Sequence, residues 1–193
     1  PAFELSYWRT GLRLAQQWRV RLGLPEKREY DEVLRKLSPL PVEEGVYVSW
    51  ENIERMWTSY NWEHPALVGA YGMLPGDGVD IPTMRRTLAK VHAEWKLGET
   101  WGWDFPMLAM CAARLGDPER AVEYLLDYPA FDFDPHGLVG GGRAPFPYFP
   151  GNGGLLYAVA MMAAGWDGAP AGDAPGFPEK GWVVRSEGLR RAL

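Results

Sequence analysis

Among the carboxylates that stand directly beside a tryptophan are Glu51 after Trp50, Glu63 after Trp62 and Asp104 after Trp103. An aromatic face strips water from a carboxyl group and raises its pKa, so that one carboxyl can stay protonated near neutral pH while another is ionised. Cleavage of a glycosidic bond needs such a pair on either side of the scissile atom. Asp104 and Glu63 are therefore the candidate catalytic groups. Trp101 and Trp103, which straddle Gly102, together with His64, Trp50, Glu51 and Asn152, are the candidate substrate-binding residues. Each has a plainer reading. Asp104 is well placed to N-cap the helix that follows it, Glu51 and Glu63 read equally as solvated loop charges, and Asn152 between glycines reads as a turn former at positive φ.

The aromatic content favours a ligand with one apolar face and a hydroxylated rim. Ten tryptophans and nine tyrosines occur among 193 residues, many beside polar neighbours rather than inside apolar runs. Sugars fit that description, because Trp and Tyr offer a flat apolar face with a polar edge. Other partners fit poorly. The net charge of −5, without a dense Lys/Arg tract, argues against nucleic acid, and no stretch is apolar for the 18 or more residues of a membrane span. The expectation is a soluble protein. The single cysteine, Cys111, excludes an internal disulfide framework, and the three histidines, 64, 92 and 136, show no ligand spacing, so neither a metal nor a cofactor is implied.

The elements that would position these groups are helical. Residues 101–126 organise the chain: Pro106 sits in the first turn of a helix apolar on nearly every face, Gly116 stops it, and Asp117 caps a second helix that starts at Pro118. That pair reads as an inner and an outer helix. Upstream, Leu5, Trp8, Leu12, Ala15, Trp18 and Leu22 recur at helical steps and predict an amphipathic helix over 3–22 with that stripe inward. Shorter helices are expected over 29–37 and 65–74, and another after Asp80 with Met84, Leu88, Val91 and Trp95 buried and His92 facing solvent. Residues 40–63 lack a helical period, and so long a loop in a compact domain is usually functional. A Gly/Pro-rich loop follows Tyr128, with a last apolar helix over 155–164.

The expected fold class is all-α, with helical hairpins forming about half of an (α/α)6 toroid. Residues 1–165 would be that partial barrel domain, and 166–193 a Gly/Pro-rich tail leaving it. A helical-repeat array is the other arrangement of alternating buried and exposed helices, but uneven spacing and long loops favour the toroid.

The run HPALVGAYGMLPG from His64 to Gly76, then Gly102-Trp103-Asp104, Ala113-Arg114-Leu115-Gly116-Asp117 and Pro150-Gly151-Asn152-Gly153-Gly154, resembles the later half of the six-hairpin (α/α)6-barrel glycosidases. The nearest likenesses are glycoside hydrolase family 65 and the α-L-fucosidases of family 95. The resemblance implies a carbohydrate-active fragment of a glycoside hydrolase, of inverting type, with a carbohydrate substrate and the N-terminal half of the same domain as its partners. The general acid would precede Pro1, so the fragment would be inactive alone, and secretion or a periplasmic location is open for the whole protein. Pro150 stands where the fucosidases have their catalytic aspartate. Glycoside phosphorylase activity, an inactive sugar-binding relative and a helical-repeat interaction protein are the alternatives.

Overall fold

The computed structural model describes residues 1–193 and is all-α apart from one small hairpin. Its helices are α1 (Ala2–Arg21), α2 (Arg28–Lys36), α3 (Met56–Ser59), α4 (Ala66–Gly69), α5 (Ile81–Glu94), α6 (Asp104–Arg114), α7 (Pro118–Leu126) and α8 (Phe149–Ala164). Strands β1 (Val42–Glu43) and β2 (Val46–Tyr47) pair antiparallel around the turn at Glu44 and Gly45. No helix is long and apolar enough to cross a membrane.

Helix α6 is the centre of the fold, and all eleven of its residues are buried. It forms the expected hairpin with α7, whose Asp117 Oδ1 accepts from the Arg120 N–H at 3.1 Å, and it is flanked by α4, α5 and α8. Asp80 caps α5 as predicted, its Oδ2 accepting from the Thr83 N–H at 2.9 Å, and Met84, Leu88, Val91 and Trp95 face the core. The predicted helix over 65–74 shrinks to the single turn of α4. Gly69 and Gly72 weaken a helix there, and they let the chain lie directly on α6: a Cβ at Gly72 would run into the Met107 carbonyl.

Helix α1 is turned from the expected orientation, with Leu5, Leu12 and Ala15 of the stripe half-buried. Trp8 and Trp18 are 58% and 56% exposed, and Ala2, Ser6, Thr10 and Gln16 face inward instead. The inward face docks through hydrogen bonds. Thr10 Oγ1 donates to Asp77 Oδ2 at 3.1 Å, Arg13 pairs with the same carboxylate, and Gln16 bonds Asp31 Oδ1 and both backbone groups of Lys27. Hydrophobic periodicity reports that a helix has two faces; here fully satisfied polar contacts decide which one turns in. Helix α8 starts six residues earlier than expected and takes the Pro150–Gly154 stretch into its first turns, so this run is not a free turn. Ala158, Met161 and Met162 are buried, whereas Phe149 and Leu156 on the other side are 64% and 72% exposed. Met107 and Met110 of α6 are wholly inside.

Residues 166–193 do not leave the helical body. Trp166 is buried in the main core, the Asp167 N–H donates to the Ala192 carbonyl, and Gly176 lies directly on Met162. The anchor is Arg114 at the end of α6. Its guanidinium is buried and meets no carboxylate: Nε donates to the Gly72 carbonyl at 3.1 Å and Nη2 to that of Leu193 at 2.5 Å, beside the rings of Tyr71 and Trp166.

Two outcomes are expected. The outward faces of α1 and α8 expose Trp8, Trp18, Phe149 and Leu156, so the chain is expected to associate on size exclusion with light scattering, and Leu156→Glu to weaken association; a monomer that binds no hydrophobic dye would contradict this. Arg114→Ala strands the buried Gly72 carbonyl, releases that of Leu193 and costs about 2–4 kcal/mol in chemical denaturation, with protease cleavage appearing first within 166–193.

Candidate functional site

Asp104 is the first residue of α6, but the helix is capped by position rather than by its side chain: Trp103 is the N-cap residue and makes no side-chain cap bond. The carboxylate turns back and inward. Oδ2 accepts from the Trp101 N–H at 3.0 Å, closing the turn before the helix, and Oδ1 lies 2.8 Å from Nδ1 of His64. With no exposed surface, Asp104 turns no oxygen to solvent, and it meets the space beyond only through His64. Burial raises the Asp104 pKa above the ordinary carboxylate range, against the opposing pull of His64, the Trp101 N–H and Thr100.

The imidazole is held on three sides. Trp101 lies against its face with ring centres 4.1 Å apart, and Trp103 meets it edge-on at 5.2 Å. The Trp103 indole N–H approaches the same Nδ1 that faces Asp104, at 2.9 Å. A ring nitrogen has one in-plane position, so Nδ1 serves one neighbour at a time. Protonated, it donates to ionised Asp104 and leaves Nε2 as a lone-pair base. Unprotonated, it accepts from Trp103, and Nε2 carries the proton. One proton therefore sets both the partner of Nδ1 and the character of Nε2, which has no protein partner.

His64 also lines a cavity of about 300 Å³ enclosed by the start of α1, the 49–64 loop, α4 and the end of α5. Its apolar walls include Trp50, Ile53, Met56, Tyr60, Leu67 and Trp95. Glu63, Glu4 and Ser49 supply its polar groups. The Trp95 indole N–H donates to the Glu63 carbonyl at 2.6 Å, which fixes the backbone beside His64. Of the residues chosen from sequence, Trp50, Glu63 and His64 thus share the cavity, while Trp101, Trp103 and Asp104 stand behind His64.

Two chosen residues fall elsewhere. Glu51 is exposed and outside the cavity. Asn152 is helical rather than at positive φ, and its Nδ2 donates to the Gly137 carbonyl at 2.7 Å, tying α8 to the preceding loop. Sequence reasoning missed Phe3, Glu4 and Tyr60 because nothing in their local pattern marks them; Trp95 read as the end of a core stripe, which it also is. His92, expected to face solvent, is half-buried, with Nε2 3.0 Å from Arg120 Nη1 and Nδ1 3.2 Å from the Tyr124 hydroxyl.

The loop after α7 closes one side of the aromatic row. The Arg143 guanidinium stacks on Trp62 at 4.0 Å and pairs with Glu99 at 2.9 Å, and Trp62 in turn lies 6.3 Å from Trp101. The backbone of this loop crosses Gly102 so closely that a Cβ there would strike the Gly140 carbonyl. Comparison of the chain with protein-family profiles, with curated proteins and with solved structures finds no match.

Because burial raises the folded-state pKa of Asp104, ionising it works against folding. Its favourable contribution is complete below the unfolded value near 3.9 and is lost as pH rises through the folded one. Asp104→Asn keeps an acceptor for His64 without that titration. Denaturant stability of the native chain should therefore fall relative to Asp104→Asn as pH is raised from about 4 towards 8, and parallel curves would contradict the raised pKa.

Proposed function

We propose that this chain is a carbohydrate-active unit of glycoside hydrolase type, which binds one sugar ring in the cavity beside His64. The observation that carries the reading is the convergence there of Trp50, Glu63 and His64, with a buried Asp104 behind the imidazole. The volume suits a single ring, at the lower end of small-ligand sites, and the aromatic walls suit its apolar face. Glu63 is the carboxylate that meets the sugar. His64 is the proton carrier: with Nδ1–H facing Asp104 it takes a proton at Nε2 as base, and the imidazolium so formed returns that proton as acid while Nδ1 keeps its own. Asp104 is a positioning residue.

The same reading takes the α6–α7 hairpin as part of a toroid whose N-terminal half, with the family general acid, precedes this chain. The fragment then binds sugar alone and turns it over only when joined to that half. A phosphorylase is a weaker reading, because the N-terminus of α6, where phosphate would be received, already holds the buried Asp104 carboxylate.

The test is a panel of monosaccharides titrated into the chain while tryptophan fluorescence is followed, then aryl-glycoside turnover by the longer protein. Millimolar binding is expected, and Trp50→Ala should weaken it about tenfold. In the longer protein Trp50→Ala should raise KM, whereas His64→Ala and Glu63→Gln should each lower kcat about a hundredfold, about 2.7 kcal/mol of barrier. Absence of any fluorescence response across the panel would overturn the sugar reading; binding without turnover in the longer protein would leave a sugar-binding relative in its place.

A further inference from the structure

The cavity carries a charge pattern that a neutral sugar does not answer. Two acidic residues are among those lining it, Glu4 from α1, which is exposed, and Glu63 from the loop before α4, and no lysine or arginine is. Neither carboxylate enters an ion pair. Three of the neighbouring cations are already engaged. Lys90 pairs with Glu94 and lies over the outer ring of Trp57, Lys96 approaches Glu99, and Arg143 bonds Glu99 while stacked on Trp62. The remaining walls include Trp50, Tyr60 and Trp95, whose ring faces are the negative ends of their quadrupoles.

Unpaired carboxylates and aromatic faces around a partly enclosed space make a negative field that low-dielectric walls concentrate. Resting on the sugar reading of this cavity, we infer that its ligand is an amino sugar with a free ammonium group. The ring lies on the aromatic wall, and the ammonium is held between Glu4 and Glu63 by charge-assisted hydrogen bonds. N-acetylation removes the charge and two of the three N–H donors, and a uronic acid places like charge against like. Both are discriminated against. The preference needs no group beyond those already lining the space.

The experiment is a tryptophan-fluorescence titration of the whole chain with glucosamine, glucose, N-acetylglucosamine and glucuronate at one pH, each at low and high salt. Glucosamine should bind about tenfold more tightly than glucose, an advantage that shrinks in high salt, with glucuronate weakest. In Glu4→Gln, checked for folding by its melting curve, the ratio of glucosamine to glucose affinity should move towards one. Equal binding of glucosamine and glucose, or of glucosamine and N-acetylglucosamine, by the unaltered chain overturns the ammonium preference while leaving the sugar reading in place. Failure of all four ligands to bind overturns both.

Discussion

Helix α6 has no solvent-facing residue, and it carries one ionisable group into the interior at each of its ends. Asp104 stands at its N-terminus and Arg114 at its C-terminus, an arrangement aligned with the helix dipole. Neither group reaches water, so the surrounding chain is arranged to answer them. His64 and the Trp101 N–H serve the carboxylate; the Gly72 and Leu193 carbonyls, with the rings of Tyr71 and Trp166, serve the guanidinium. Leaving either charge unmet in that interior would cost several kcal/mol.

The site inherits its geometry from this requirement. His64 is held where it is because Asp104 needs a partner, and the imidazole thus stands between a closed polar interior and an open aromatic cavity. Trp101 and Trp103 brace the ring from behind, and the aromatic residues that line the cavity are Trp50, Tyr60 and Trp95. Glycine at 102 permits the 139–148 loop to close over the aromatic row. Core, brace and cavity are consecutive layers built outward from the start of one helix.

Much of this was legible in the sequence where local chemistry decides the outcome. The α6–α7 hairpin, the Asp80 and Asp117 caps and the buried stripe of α5 follow from periodicity, proline and capping residues. The grouping of His64 with Trp101, Trp103 and Asp104 was anticipated, but not its internal order, because local sequence shows Asp104 only as a cap and not as a buried partner for a residue 40 positions away. Helix α1 was misjudged for a related reason. Its apolar stripe is real, yet Ser6, Thr10 and Gln16 find partners on Asp77, Lys27 and Asp31, and those long-range bonds leave no trace in the helix's own pattern. The 166–193 segment read as a tail for want of periodicity, although irregular backbone docks well where Trp166 and Arg114 supply anchors.

The grip of Arg114 on Leu193 also orders events in time. The two residues are 79 positions apart, and the guanidinium sits on the most deeply buried helix of the fold. Until the distal segment arrives, either α6 stays partly hydrated at its C-terminal end or its cation is enclosed with an unmet donor. The helical hairpins can collapse early, since their contacts are local, but expulsion of the last water from the core waits on one long loop closure. Residues 166–193 are thus expected to dock last as the chain folds and to detach first when the native state opens.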